Sequence, residues 1–356
     1  MKKILLGVLL AGLLALMACY KQEGVPGTTG ATPRKAVEAA DNSVTTHASE
    51  GKLPHQTDDE EAPVVYFTRD ISPAGLLKVY QAMGWQPAGK VGVKISTGEP
   101  PASNYLRPEL IKDLVQYLNG TIVECNTAYG GSRASSAMHH QVVKDHGFLE
   151  IAPFDLLDEE GTLELPISRG KHLKADYTGS HFTRYDSYLV LSHFKGHAMA
   201  GFGGAIKNLS IGFGSGNVDV EQSGKAIIHS GGKSAKNPWC GEQIAFLESM
   251  VEAAWVVCDS MNHYQNIAFV NVMNRLSVDC DCNGHPAEPD MHDIGIVASR
   301  DPLAIDQCSI DMVYAQPDSA KLRERIESRQ GLHTLDYGEE FQVGKRYYRL
   351  VNIDGH

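Results

Sequence analysis

The stretch PELIKDLVQYLNGTIVE, residues 108–124, decides the fold class. A helix is read over 108–118. Pro108 opens it, because a first-turn residue needs no N–H, and Gly120 lies just past its end, where helices favour glycine. Thr-Ile-Val-Glu at 121–124 follows as a short buried strand. The same alternation extends outward. Strands are read at 64–67, 91–95, 188–191, 267–273 and 294–297, and helices at 74–83, 135–146 and 242–257. Strands spaced by helices give an α/β fold, with a mostly parallel sheet flanked by helices. It forms one large domain or two lobes with a cleft between them. There is no internal repeat.

In such sheets ligands bind at the carboxyl ends of strands, and the unusual residues of this chain fall there. Lys94-Ile95-Ser96-Thr97-Gly98-Glu99 follows one strand. Asn126-Thr127-Ala128-Tyr129-Gly130-Gly131-Ser132-Arg133 follows another and leads to His139 and His140. A glycine pair lets backbone approach a ligand, and an arginine beside it suits an anion; a tight turn with a surface arginine is the plainer alternative. The densest stretch, residues 192–208, follows the 188–191 strand: Ser-His-Phe-Lys-Gly-His-Ala-Met-Ala-Gly-Phe-Gly-Gly-Ala-Ile-Lys-Asn. Packing does not account for so many histidines, lysines and glycines. His193 and His197 are candidate acid/base groups, Lys195 and Lys207 can bind anions or form adducts, and Asn208 is a candidate substrate contact. A strand is read at 225–228, ending in His229-Ser230-Gly231-Gly232-Lys233. After the 294–297 strand, Asp301 caps a helix beginning at Pro302, its terminus aimed at the same sheet edge, and Asp306 inside that helix is the better site candidate.

Asp279-Cys280-Asp281-Cys282-Asn283-Gly284-His285 is a third cluster. Two cysteines in one turn can share a thiophilic metal, completed by Cys240, His229 or His285. A disulfide from either cysteine to Cys240 or Cys258 is the competing reading, and a bond between Cys280 and Cys282 themselves ranks lowest.

Residues 1–18 read as a signal peptide: Met-Lys-Lys, then an unbroken apolar or glycine run at 4–18 that is shorter than the about 20 residues of a membrane span. Leu16-Met17-Ala18-Cys19 fits a lipoprotein cleavage site. Cys19 then carries the lipid anchor, palmitate or a similar acyl chain, outside the cytoplasm in the cell envelope. An ordinary secretory signal with a chance cysteine is the alternative. Residues 19–61 read as a flexible tether of polar and small residues ending on acids, and 62–356 as the folded domain. Loss of Lys2 and Lys3 takes the formal charge from −11 to −13. Without a basic block such a chain does not suit nucleic acid. Six cysteines remain besides Cys19, an even number that permits disulfides outside the cytoplasm.

Taken together, His193-Phe194-Lys195-Gly196-His197, Gly203-Gly204-Ala205-Ile206-Lys207-Asn208, Asp279-Cys280-Asp281-Cys282 and the run from Asp293 to Asp306 resemble the domain-of-unknown-function-362 family, often labelled uncharacterised iron–sulphur-centre proteins. The likeness spans about 64–351. Many relatives carry a ferredoxin insert with CxxCxxCxxxCP runs. This chain has only Trp239-Cys240-Gly241 between His229 and Glu242, so a thiophilic metal ranks above an iron–sulphur cluster as cofactor. Residues 197–207 also resemble a segment of the lactate-racemase-like family. That likeness implies an acid/base role for His197 and a cofactor-anchoring role for Lys207. The expectation is a metal-dependent enzyme of redox or proton-transfer type acting on a small anionic substrate. Catalytic residues would be His193, His197, Lys207 and Asp306. Lys94, Arg133, Lys195 and Asn208 would hold the substrate, and Cys280, Cys282, His229 and Cys240 the metal. The alternative of another class is a non-catalytic lipoprotein binding a metal or anion for transport or sensing.

Overall fold

The computed structural model describes residues 51–216, 223–234 and 236–355. The signal peptide, Cys19 and most of the tether therefore lie outside the described residues. The compact unit begins at Lys52, ten residues before the domain boundary read from sequence. The backbone N–H of His55 and its ring meet Asp311, and Thr57 donates to the Tyr348 carbonyl. The acidic run at 58–61 ends a segment already bonded to the fold.

Twelve strands are described: β1 Val64–Thr68, β2 Val91–Lys94, β3 Thr121–Glu124, β4 Phe154–Leu156, β5 Thr162–Pro166, β6 Ala175–Gly179, β7 Ser187–His193, β8 Lys195–His197, β9 Gly201–Gly203, β10 Ile267–Met273, β11 Gly295–Ser299 and β12 Arg349–Asn352. The helices are α1 Pro73–Ala82, α2 Pro108–Tyr117, α3 Ser136–Asp145, α4 Ala205–Phe213, α5 Gly224–His229, α6 Gln243–Ser260, α7 Pro302–Tyr314, α8 Ala320–Ser328 and α9 His333–Glu340. Eight strands form one sheet in the order β12-β1-β11-β10-β7-β2-β3-β4. All its pairings are parallel except the two made by β11. The fold is α/β with a mostly parallel sheet, as the alternation predicts.

The period of two along each strand divides the core. Tyr188, Val190, Ile267, Phe269 and Val297 face one core with α4, α6, α7, α8 and α9, whereas Leu189, Leu191, Ala268, Val270 and Ile296 face the other with α1, α2 and α3. Helices on both faces explain why β7, β10 and β11 are buried at every residue. Beyond α2, Asn119 takes the left-handed conformation (φ 47°) rather than Gly120. Gly120 is needed for a different reason: a Cβ there would lie 2.7 Å from a Val93 methyl.

One element differs in kind. Residues 225–228, read as a strand, belong to helix α5. The Ser223 hydroxyl accepts from the Ala226 N–H and starts the turn, and Gly231 (φ 64°) and Gly232 (φ 77°) follow its end. A four-residue apolar run does not by itself separate helix from strand.

Candidate functional site

Parallel pairing sets the carboxyl ends of β2, β3, β7 and β10 on one edge of the sheet, because Lys94 pairs with Val123 and Val190, and His193 with Val272. The loops leaving those strands tie together. Glu99 donates its backbone N–H to the Asp281 carbonyl (2.8 Å), Ala102 to Gly284 (3.1 Å) and Gly196 to Ser277 (2.8 Å). The expectation fails for β11. It runs antiparallel, with Ser299 opposite Phe269 and Gly295 opposite Met273, so its carboxyl end lies at the other edge. Asp301 there accepts from the N–H groups of Leu303 and Ala304 (both 2.9 Å), as a cap for α7, and that helix terminus does not face the site.

The 192–208 stretch forms the hairpin β8–β9 followed by α4. Gly196 is required because a Cβ would sit 2.4 Å from the Val278 carbonyl oxygen. At Gly203 the carbon chains of Lys195 and Lys207 pass side by side, 3.5 and 3.3 Å from where a Cβ would stand. Lys195 ends in an ion pair with Asp281 (2.9 Å). His193 Nδ1 meets the other Asp281 oxygen (2.8 Å), and its Nε2 meets the Asn274 carbonyl (2.7 Å). With an oxygen acceptor at each nitrogen, His193 braces the turn and has no ring nitrogen open to a substrate. Burial alone would raise the Asp281 carboxyl, but the charges of Lys195 and His193 outweigh it and hold it very low.

His197 differs from His193. Its Nδ1 accepts from the backbone N–H groups of Met199 (3.1 Å) and Ala200 (2.9 Å). The lone pair is therefore at Nδ1, and the proton of the neutral ring is at Nε2. Burial, and then the Lys207 charge, push the ring well below the ordinary histidine range, so it is neutral at pH 7. Lys207 has no hydrogen-bond or ion-pair partner for its amine among the described residues. Burial, then the neighbouring Lys195 charge, bring it down to about 7. A desolvated lysine beside another cation is partly a free amine at neutral pH, able to take a proton or attack an electrophile.

The other expected substrate contacts are closed. Lys94 is buried beneath α4, donating to the Ile95 carbonyl (2.7 Å) and Asn208 Oδ1 (3.0 Å), and burial lowers it to about 8. Asn208 donates back to the Lys94 and Leu191 carbonyls and the Ser192 hydroxyl, and so ties α4 to β2 and β7. Arg133 is buried between Glu124 (3.0 Å) and Glu99 (3.2 Å) and also donates to Tyr129. His139 completes that network on Glu124. Two carboxylates leave Arg133 no net attraction for an anion, so it is a structural ion pair. Asp306 accepts from Ala205 N–H (2.7 Å), Ile206 N–H (2.9 Å) and Asn271 Nδ2 (2.8 Å). It fills the anion-seeking N-terminus of α4, and burial lifts it to about 6. Asp306 positions α4 and hence Lys207; it is not presented to a substrate.

Cys280 and Cys282 are joined to each other by a disulfide, with Cα atoms 5.3 Å apart. This is the pairing ranked lowest from sequence, and Cys240 and Cys258 are free. The turn that Asp281 anchors brings the two sulfurs together. With a ring nitrogen of His197, the sulfurs lie within 4.8 Å of one another, a candidate metal site. Its donor set does not fit a metal in this state. The sulfurs are bonded to each other, and a histidine ligand keeps its proton on the nitrogen that does not bind, whereas Nδ1 here faces two N–H donors. His229 is not in the group. Its Nδ1 donates to the Lys225 carbonyl, its ring stacks on Phe246 near Trp239, and burial brings it to about 4. Cys240 is exposed on the 238–240 turn and also lies outside the group.

Lys94, His193, Lys195, His197 and Asp306 are buried, while Lys207 and Cys282 are only partly so. A ligand therefore meets Lys207 and Cys282 first. Sequence reading passed over two acids that shape the site. Glu124 was legible as a charge at a strand end beside Cys125. Asp281 stands between the cysteines, and nothing local shows that His193, 88 residues away in sequence, is its partner.

A search of curated proteins finds no match. Among solved structures, the lactate racemase apoprotein from Thermoanaerobacterium thermosaccharolyticum is similar at 16% identity and a TM-score of 0.35, over 58% of this chain and 50% of that one. The match thus spans about half of that protein, and at this score it carries no argument about function. Residues 91–311 match the model of the family described as Domain of unknown function (DUF362). With these residues making up well over half its length, the chain belongs to that family.

Proposed function

We propose that the chain is an enzyme of proton-transfer or redox type, acting on a small anionic substrate at the β8–β9 hairpin and the start of α4. One observation carries this reading: the partly buried amine of Lys207 has no partner among the described residues, while its neighbour Lys195 is paired with Asp281. An anionic substrate gives Lys207 the counter-charge it lacks, and the free-amine fraction at neutral pH gives it a base. His197 serves as a neutral donor through Nε2–H. Asp306, Asn208 and Lys94 act through α4 and hold Lys207 in place. The apolar leader before Cys19 supports a lipid-anchored location in the cell envelope, with the membrane as a partner through that anchor.

The test is proton exchange. The purified protein is incubated in D2O with small carboxylic and phosphorylated acids bearing an acidic C–H, and the loss of that C–H signal is followed by NMR. Deuterium incorporation that disappears in Lys207→Met supports the reading. A ligand that raises the melting temperature without exchange, in a Lys207-dependent way, points to the non-catalytic binder instead. Ligand effects unchanged in Lys207→Met would remove Lys207 from the site altogether.

A further inference from the structure

The Cys280–Cys282 disulfide has features of a reactive bond rather than a staple. A crosslink stabilises mainly by restricting the unfolded chain, and the gain shrinks with the loop it closes; this one spans a sequence separation of 2. The turn does not need it. Asp281 is held by His193 and Lys195, and its carbonyl by the Glu99 N–H. The two sulfurs are also unlike. Cys280 is buried, and its Sγ accepts the backbone N–H of Cys282 (3.3 Å), whereas Cys282 is partly exposed. Nδ1 of His197 is occupied by two N–H groups, so Nε2–H is its remaining polar atom, in a ring set within 4.8 Å of both sulfurs.

We propose that Cys280–Cys282 is a redox-active pair that exchanges two electrons with a dithiol, with Cys282 the sulfur attacked and Cys280 the sulfur that leaves. This takes the redox arm of the function proposed above and rests on the hairpin being the reacting site. One thiolate of the dithiol bonds to Cys282 Sγ. The Cys280–Cys282 bond breaks, and Cys280 Sγ departs with its electron pair. The Cys282 N–H and His197 Nε2–H receive that thiolate. The second thiolate of the dithiol then closes on the first sulfur and displaces Cys282 Sγ. The dithiol ends oxidised to a disulfide and the pair ends reduced. Of the two protons released, one returns to Cys282 and one goes to solvent. His197 donates a hydrogen bond to the leaving sulfur in this step and gives up no proton.

The experiment follows reduction of the full-length protein by dithiothreitol, with iodoacetamide quenching and peptide mass spectrometry at Cys280 and Cys282. The pair should be unreactive to iodoacetamide as purified and doubly alkylated after dithiothreitol. Its reduction should be about ten- to hundred-fold slower in His197→Ala, the loss expected for one hydrogen bond to a charged group, and partly restored in His197→Gln. In the same sample, protection of the buried Cys125, Cys258 and Cys308 reports that the variants remain folded, and alkylation of the exposed Cys240 reports equal reagent access. Equal rates in wild type and His197→Ala would overturn the proposal. So would free thiols at Cys280 and Cys282 in the purified protein, or alkylation of that pair released by a chelator and not by dithiothreitol. Those outcomes leave the Lys207-dependent deuterium exchange untouched, and loss of that exchange leaves the thiol readout untouched, so the two readings fail separately.

Discussion

Replacing Lys207 with methionine should flatten part of the pH dependence of stability. Lys207 sits at about 7 in the folded protein against 10.5 for a free lysine. Between those values the unfolded chain holds more protons on this group than the folded one, so stability rises with pH. Below pH 7 both states are charged and the full cost of the buried ammonium is felt; above 10.5 both are neutral and the cost is gone. The slope has a ceiling of about 1.4 kcal/mol per pH unit, or about 2.7 kcal/mol from pH 7.5 to 9.5. Because Lys207 is partly accessible, solvent screening reduces this to about 1–2 kcal/mol. Lys94, lowered to about 8 by burial, adds a rise of the same sign, which the variant retains. The assay is urea unfolding of wild type and Lys207→Met at pH 7.5, 8.5 and 9.5. The variant should be the more stable at pH 7.5, with the gap closing as pH rises. Parallel curves would refute the argument, because they would mean that Lys207 keeps an ordinary ammonium in the folded protein.

Three further outcomes follow from the same geometry. Arg133→Ala leaves Glu124 and Glu99 buried without their cation and should cost about 3–5 kcal/mol in urea unfolding; an unchanged midpoint would return Arg133 to the substrate-binding set. Gly204→Ala places a Cβ 2.2 Å from an Asp306 carboxylate oxygen and should cost about 1–3 kcal/mol by overpacking, with Lys207 displaced and its pH signature blurred; a neutral substitution would mean that α4 is not clamped by Asp306. Cys19→Ala should release the protein from membranes or leave an unprocessed precursor, and a processed variant that still fractionates with membranes would remove the lipid anchor as the cause.

Much of the fold was legible because its signals are local. The helix and strand at 108–124 follow from Pro108, the β-branched run and the apolar period, and β3 and β10 have the bounds read for them. The parallel edge also brings together the loops after the strands read at 91–95, 121–124 and 188–191. What sequence missed is pairwise. Nothing local to β11 says that it runs antiparallel, and that one reversal moves Asp301 to the far edge. Nothing local to Arg133 or Asp306 reveals the partners that occupy them, since Glu99 lies 34 residues from Arg133 and the Ala205 N–H lies 101 from Asp306. Charged residues at strand ends were read as open to ligand, whereas burial required most of them to be paired. Lys207 is the exception, and its motif singled it out.

The amine of Lys207, desolvated and without a partner among the described residues, can be titrated on its own. Trace acetylation of the native protein with acetic anhydride from pH 5.5 to 11, with the Lys207 peptide quantified by mass spectrometry, gives the midpoint of the reactive amine. The expected midpoint is near 7. A midpoint at the ordinary lysine value of 10.5 would contradict it.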